Sequence, residues 1–575
     1  SVDEGTYRIT GKRSEILIHA VKSGNKPPIS ENLLAIEALG SLKKAINFRP
    51  RVTYRIGARM GKPEGSKHRE MKPPIHTMFP VGHKVGSKRL LSDAAKREDA
   101  IQVGIRVCEK CSEFTSKGVC CGQNTMFHGN EWVGKEDELW NEISAKILWE
   151  ESLKKVHEVE NQEQSDMVFG VQNNVKKTEA NPQVKGVKGM NSREKTSENM
   201  IKGILRHKND ISTFRDGTIR FDMVDITMTH FKPKEIGITV QQANDLGYDC
   251  DDENQVLELK PQDVVIPMNC TEKLVNTTKY VDDLLITLYG MERFYNCETY
   301  QDLVGHLIMG IAPHTSGAIL SRIIGFCDVK GHYGHPYFHA AKRRNCDCDI
   351  VAILLLLDGL LNFSRSFLSA NRGGMMDAPL ILTTTIIPTE IDKEALNVDT
   401  MSQYPISFYE GTMKRPIAKE ATKSLGVETV ETRLENGINA FEGFGYTHET
   451  TDACQSPKDN PYNTLESMKE KTLMQFELGT VLRAVDNEIQ AGKLINRHLI
   501  RDMRGNLRAY GQQKTRCTKC GASYRRVPIA GKCINVIKKD AENPLTGEIE
   551  DQICNHKLIL TVHQGSVEKY DGLIE

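Results

Sequence analysis

The stretch RRNCDCDIVAILLLLDGLLNFSR, residues 343–365, sets Asp347 and Asp349 one residue apart, just before the most apolar run of the chain. In an extended segment residues i and i+2 point the same way, so the two carboxylates project together and can share a divalent ion. Two carboxylates holding Mg²⁺ beside a triphosphate recur in phosphoryl transfer, because the ion neutralises developing charge and aligns the attacking and leaving oxygens. A bare D-x-D is more often a plain loop in which both aspartates are solvated, so the surrounding sequence has to decide. Lys342, Arg343, Arg344 and Asn345 stand immediately before the pair. Cations next to two carboxylates suit a substrate whose phosphates contact both.

The rest of the chain sets the bounds. Its 575 residues, 39% of them hydrophobic, suffice for about three or four packed domains. Lysine plus arginine equals aspartate plus glutamate at 76 each, so net charge carries no argument for a polyanionic partner and only local clustering can. The longest apolar stretch, residues 350–361, is interrupted by Asp358 and too short for a bilayer; no membrane segment is expected. The opening SVDEGTYRIT has neither Met nor an apolar signal region, which reads as a fragment or a processed product. Eight of the 15 cysteines fall in two clusters of metal-type spacing, and this fits a reducing cytosol better than a disulfide framework.

Charge clusters in one place. Residues 49–97 carry thirteen lysines or arginines against three acids, with Gly57, Gly61, Gly65, Gly82 and Gly86 interspersed. Such a segment lets backbone amides and cations approach phosphates, or else is a solvated basic face. Cys108, Cys111, Cys120 and Cys121 follow in VCEKCSEFTSKGVCCGQNT, a C-x2-C with a second cysteine pair that reads as a zinc knuckle. Adjacent cysteines are an awkward half-site, so His128 is an alternative fourth ligand. Cys517, Cys520, Cys533 and Cys554 form a zinc-ribbon pattern with a long second spacing. His306, His314, His332, His335 and His339 lie close in sequence but lack H-E-x-x-H spacing, and hydrogen bonding to phosphates or bases is the better reading of them. His230, Lys232 and Lys234 read as surface residues that could meet a phosphate. Residues 371–388 suggest a Gly373-Gly374 turn before an apolar strand that would bring Arg372 and Asp377 toward the aspartates.

The secondary-structure pattern is mixed. Alternation around Asp216-Gly217 suggests a hairpin within residues 202–237, residues 135–157 have helical spacing, and the polar residues 158–185 read as a linker. A strand at 263–268 precedes a helix through Val281 and Leu284, and residues 464–500 are helical in pattern.

Several phrases together resemble one family, the large catalytic subunit of the archaeal family D DNA polymerase: YRIGARMGKPE (54–64), MKPPIHTMFPVG (71–82), VKGVKGM, KGILRHKND, DGTIRFDM, THFKPKEIG, IAPHTS (311–316), HPYFHAAKRRNCD (335–347), LLLDGLLNFSR (355–365), RGG followed by MDAPL, and RCTKCGASYRR. The resemblance spans roughly residues 50–570. It implies a mixed α/β multidomain protein whose catalytic core is two double-psi β-barrels, with zinc-binding modules and helical segments. By the family's NCDGDED phrase, Asp347 and Asp349 are the metal-binding aspartates of the second barrel, and Arg59, Lys62, Lys67 and Lys72 of the first are candidates for triphosphate or primer-end contacts. The implied organisation is a remnant of a preceding domain at 1–48, a first barrel part with the zinc knuckle at 49–134, a charged helix and polar linker at 135–185, the remaining mixed core at 186–300, the second barrel at 301–420, a helical connection at 421–504 and a zinc module at 505–575.

The implied function is template-directed addition of dNTPs to a primer 3′ end by two-metal phosphoryl transfer, with Mg²⁺ catalytic and Zn²⁺ structural. Implied partners are primer-template DNA, dNTPs and a small subunit with proofreading exonuclease activity, in an archaeal, nucleoid-associated cytoplasmic setting. The family often extends to a tail that binds the sliding clamp; this sequence stops at Glu575, so clamp binding through such a tail is not expected of these residues. Cys348, Ile350 and Val351 replace Gly, Glu and Asp of the family pattern, and Met375 replaces a lysine. These departures leave a second expectation open, a catalytically degenerate scaffold that binds DNA and assembles subunits. An RNA polymerase-like enzyme would rest on the shared barrel alone, and fold does not fix function.

Overall fold

The apolar run after Asp349 is a strand covered on both faces, which is why it runs hydrophobic without alternation. In this computed structural model it closes a six-stranded barrel formed by β1 (Phe221–Thr227), β2 (Asp263–Pro267), β3 (Leu307–Ile311), β4 (Gly317–Cys327), β5 (His332–Gly334) and β6 (Ile350–Leu355). Their order around the barrel is β2-β5-β1-β6-β3-β4, and β4 pairs back with β2. The β1–β5 and β2–β4 pairs are parallel and the other four antiparallel. Ser66–His68 extends the sheet along β1, and Ile381–Thr383 runs parallel to the start of β4.

The residues described are 2–3, 6–7, 65–82, 88–97, 100–104, 106–115, 119–121, 123–127, 140–166, 176–190, 196–344, 349–362, 367–368, 372–412, 414, 416–417, 424–445, 452–455, 464–482, 485–517, 520, 522–542, 549–560 and 562–574. Residues 60–472 form one compact unit; 1–59 with 473–575 form another. The barrel lies wholly in the first. It draws strands from both sides of residue 300, so the closed unit covers 221–355.

Side-chain parity builds its interior. Val351, Ile353 and Leu355 of β6 join Phe221 and Met223 of β1 in the main core, while Ala352 and Leu354 pack outward on Met309, Ile311 and Ala318. Each such aliphatic contributes about 1.5–3 kcal/mol on full burial. Among the helices that flank the barrel strands in sequence are α1 (Ala145–Asp166), α2 (Met200–Lys208), α3 (Thr271–Leu284) and α4 (Pro336–Ala341). The strand at 263–267 and the helix through Val281 and Leu284 lie where the sequence pattern sets them.

Three expectations change. Residues 200–208 form α2 and not a hairpin arm, because Ile201, Ile204 and Leu205 bury one helical face in the core; the Asp216-Gly217 turn connects that helix to β1. The Trp140–Ser144 segment pairs as a strand with Ala100–Gly104 before α1 begins. Of the polar stretch read as a linker, residues 158–166 continue α1, and Glu160 there accepts the Thr178 hydroxyl at 2.8 Å and pairs with Lys208 at 3.0 Å. In the second unit, Ile500–Gln512 packs on Gly565–Ile574, with Asn506 Nδ2 donating to the Ser566 carbonyl at 3.0 Å. No described helix is long and apolar enough to cross a membrane.

A buried ion pair ties α2 to the loop before it. Both terminal guanidinium nitrogens of Arg206 reach Glu198 at 2.9 Å, and Glu198 also accepts the Met78 amide at 2.8 Å and the Thr77 hydroxyl at 3.1 Å. Both side chains are 1% exposed. Removing one partner of such a pair strands a desolvated charge. Glu198→Ala is therefore expected to cost about 3–5 kcal/mol, read as a lowered midpoint in urea unfolding; an unchanged midpoint would remove this anchor.

Candidate active site

The register of β1 against β6 creates the site. Phe221, Asp222, Met223 and Val224 stand opposite Ile353, Ala352, Val351 and Ile350. Because successive strand residues face opposite ways, Asp222, Val224, Ile350 and Ala352 share one face, and they line a cavity of about 680 Å³. Ser66–His68, paired along β1 with Lys67 opposite Asp222, supplies a second wall. Lys67, Arg69, Arg220 and Lys330 line the cavity against Asp222 and Asp377, so its mouth is rich in cations.

These charges are partly arranged in advance. Arg69 bonds Asp222 at 3.0 Å. Burial pushes the Asp222 carboxyl above its ordinary range, opposed by Arg69, Arg220 and Lys67. Arg220 is buried and held by Asp216 at 2.5 Å, with its guanidinium 4.8 Å from the Phe214 ring centre. Asp377 pairs with Arg215 at 2.7 Å.

Asp349 stands next in the chain to the cavity-lining Ile350. Its carbonyl accepts the Asp225 amide at 2.9 Å, continuing the β1–β6 ladder past Ile350. Its carboxylate lies 3.6 Å from Arg344, which donates to the carbonyl of the cavity-lining Pro313 at 3.2 Å. Lys67 lines the cavity, and Asp349 and Arg344 border it through Ile350 and Pro313. Lys72 and Arg343 are exposed, and Arg343 has a left-handed backbone at φ 56°. Arg372 begins the short helix Arg372–Met375. Lys342 is buried with its ammonium on Asp225. Arg59, Lys62, His128, Asn345, Asp347 and Cys348 lie outside the described residues.

Inside the barrel is a charge cluster. Asp225 follows Phe221 and Met223 in parity and points inward, with no exposed surface. Lys342 Nζ donates to its two oxygens at 3.1 and 3.2 Å. His332 Nε2 and His339 Nδ1 approach at 3.1 and 3.2 Å, without hydrogen-bonding angles. Burial alone would raise the Asp225 carboxyl, but Lys342, His339 and His332 bring it below the ordinary carboxylate range. Burial holds His332 far below its usual value. It also lowers His335 to about 3, with His339 and His230 adding to the effect, and this neutral ring caps α4 by accepting the Tyr337 amide at 3.1 Å. The five neighbouring histidines therefore divide: His332 and His339 around Asp225, His335 at a helix cap, His314 on the cavity wall, and His306 beside Tyr295 with ring centres 4.9 Å apart.

Sequence reasoning did not single out Asp222, Asp225, Arg69, Arg220 or Lys330. The signal for Asp225 is an acid at an inward position of the alternating FDMVDIT strand.

Both cysteine quartets assemble. Cys108, Cys111, Cys120 and Cys121 bring their sulfurs within 4.8 Å of one another, and so do Cys517, Cys520, Cys533 and Cys554. A metal–sulfur bond of about 2.3 Å at tetrahedral angles requires sulfurs about 3.8 Å apart. The Cys111–Cys120, Cys120–Cys121 and Cys517–Cys554 separations are 3.8, 3.8 and 3.7 Å, and Cys520–Cys533 is 3.4 Å. Cys121 adopts φ 51°, which lets adjacent thiols converge. Asn535 Nδ2 reaches Cys520 Sγ at 3.6 Å and the Tyr524 hydroxyl lies 3.1 Å from Cys533 Sγ, outer contacts of the kind that steady thiolates. Both quartets fit a closed metal site.

Residues 176–471, just over half the chain, match the family model described as DNA polymerase II large subunit DP2, catalytic domain. The chain belongs to this family. It is the family whose phrases the sequence resembles, and residues 10–137 match its central domain. The DNA polymerase II large subunit of Methanocorpusculum labreanum is 41% identical over 95% of this chain and 48% of its own length. That of Archaeoglobus fulgidus is 41% identical over 91% and 45%, and that of Pyrococcus furiosus 40% over 92% and 41%. The chain spans about half the length of these curated relatives. The barrel and Asp349 fall inside the segment matched to the catalytic domain, whereas the cavity wall made by Gly65, Ser66, Lys67 and Arg69, like the first cysteine quartet, falls inside the central one.

Metal analysis of the intact chain is expected to find two thiolate-held ions. Cys517→Ser should remove one and Cys121→Ser the other; a Cys121→Ser chain with its full metal content would assign the fourth position to His128.

Proposed function

We propose that this chain is the catalytic core of a template-directed DNA polymerase, extending a primer 3′ end with dNTPs. The observation that carries the reading is Asp349, in the segment matched to a polymerase catalytic domain, next in the chain to Ile350 of a cavity walled by Lys67, Arg69, Arg220 and Lys330. Asp347 and Asp349 are the residues that would hold Mg²⁺. Bound there, the ions would neutralise phosphoryl charge and align the 3′ hydroxyl with its leaving group. The chain's own residues do the remaining work. Cationic side chains in a walled cavity attract a triphosphate more strongly than they would in open water. Arg344 restrains the Asp349 carboxylate before substrate arrives, and Arg69 holds Asp222 at the cavity wall.

The same reading takes the barrel as one of two double-psi barrels, with the other drawing on residues 49–134, and takes both cysteine quartets as structural Zn²⁺ sites. Primer-template DNA and a small subunit with proofreading exonuclease activity are its partners in the cytoplasm.

A second reading, a DNA-binding scaffold without catalysis, draws on Ile350, whose apolar side chain lines the cavity where the family pattern has a carboxylate. Val351 bears on the barrel core, being fully buried. If the scaffold reading holds, the unmutated chain adds no nucleotide, and Cys348→Gly with Ile350→Glu is the change that restores addition.

Asp347→Asn and Asp349→Asn are each expected to reduce Mg²⁺-dependent primer extension to background while leaving DNA affinity within about twofold, since a carboxamide matches the size but brings no charge to the ion. Robust extension by the double mutant would sink the proposal. Lys67→Gln should weaken primer-template binding and flatten its log–log salt dependence by about one unit; an unchanged slope would take Lys67 off the phosphate path.

A further inference from the structure

We infer that Asp225 is the positioning residue for the loop that carries the aspartate pair, gripping both ends of it from inside the barrel. The inference rests on the polymerase reading of Asp347 and Asp349 and adds a residue to it. At the loop's start, Lys342 leaves α4 and its ammonium reaches both Asp225 oxygens at 3.1 and 3.2 Å. At its end, the Asp349 carbonyl accepts the Asp225 amide at 2.9 Å. One residue on β1 thus fixes where the chain departs and where it returns. Six residues, 343–348, lie between these two anchors, so a shift at either end is expected to displace the aspartate pair.

The surroundings are shaped for this grip. Lys342 Nζ lies 4.0 Å from the Phe338 ring centre. Gly310 on β3 leaves room for both side chains: a Cβ there would stand 2.7 Å from Phe338 Cζ and 3.2 Å from Lys342 Cδ. His332 and His339 complete a shell with no solvent-exposed surface, and His339 Nε2 lies 3.1 Å from the Ile226 carbonyl. Asp225, His332 and His339 also bring their ligand atoms within 4.8 Å, as a metal site would. The Lys342 ammonium already sits on both carboxylate oxygens, so the cation position of that trio is taken by the protein itself.

A buried pair can be removed whole at less cost than half of it, which selects the variant Asp225→Asn with Lys342→Met in the full chain. Its fold is checked by unfolding midpoint and thiolate-metal content. The expected result is a fall in single-turnover kcat of about 10²-fold, the scale of a 1 Å misplacement, with dNTP KM and DNA Kd within about twofold and faster hydrogen exchange in peptides covering 342–350. Unchanged kcat together with unchanged exchange overturns the inference. If the unmutated chain extends no primer, the polymerase reading fails, and exchange at 342–350 alone decides: acceleration supports the grip, no change overturns it. Should the double variant not fold, Gly310→Ala pushes on Lys342 from outside and is expected to move the same readouts in the same direction; no movement overturns the inference. A third metal ion in the unmutated chain that is lost with His332→Gln would overturn it as well, since the trio would then be a metal site.

Discussion

The antiparallel pairing of Phe221–Thr227 with Ile350–Leu355 is the constraint on which the site depends. Strand side chains alternate strictly, so a slip of one residue would exchange the two faces. In the observed register Asp222, Val224, Ile350 and Ala352 face the cavity, while Met223, Val351 and Ile353 fill the core. The same ladder, carried one step beyond Ile350, sets Asp349 opposite Asp225. Barrel closure through β2 and β4 leaves no free edge along which that register could drift.

Charge in the interior is the second theme. Asp225 with Lys342, Glu198 with Arg206, and Asp216 with Arg220 are buried or nearly so, and each is bonded on several sides. Such pairs add little net stability compared with apolar residues of similar volume. Their value here is geometric. Asp225 and Lys342 meet across 117 residues and Glu198 also holds Thr77 and Met78 from about 120 residues away, whereas Asp216 and Arg220 are four residues apart and fix a local turn; two of the three pairs touch the chain that forms the cavity or its loop. Arg220 reaches the cavity while Asp216 holds it from behind, which leaves a rigid cation at the wall.

Much of this was legible in the residues. The cysteine spacings name both quartets, because ligand geometry restricts spacing strongly; only the convergence of Cys120 and Cys121 needed a backbone angle that sequence does not carry. The strand after Asp349 and the strand at 263–267 followed from apolar runs. Residues 200–208 misled because Asp216-Gly217 is a strong turn signal, while the decisive spacing of Ile201, Ile204 and Leu205 depends on which face is buried. Lys342 reads in sequence as one of three consecutive cations. Only the fold separates it from Arg343 and Arg344, by turning it inward at the end of α4. Asp222 and Arg69 reached the cavity through pairings across some 150 residues, which local patterns do not encode.

The central claim is that one cavity beside β1 and β6 receives the triphosphate and that Asp347 and Asp349 hold its divalent ion. A structure of the chain with primer-template DNA, an incoming dNTP and Mg²⁺ tests it most directly. The account predicts an ion about 2.0–2.1 Å from a carboxylate oxygen of each aspartate, with the triphosphate against Lys67 in the cavity. A nucleotide bound elsewhere, or an ion in place without either aspartate, would contradict it.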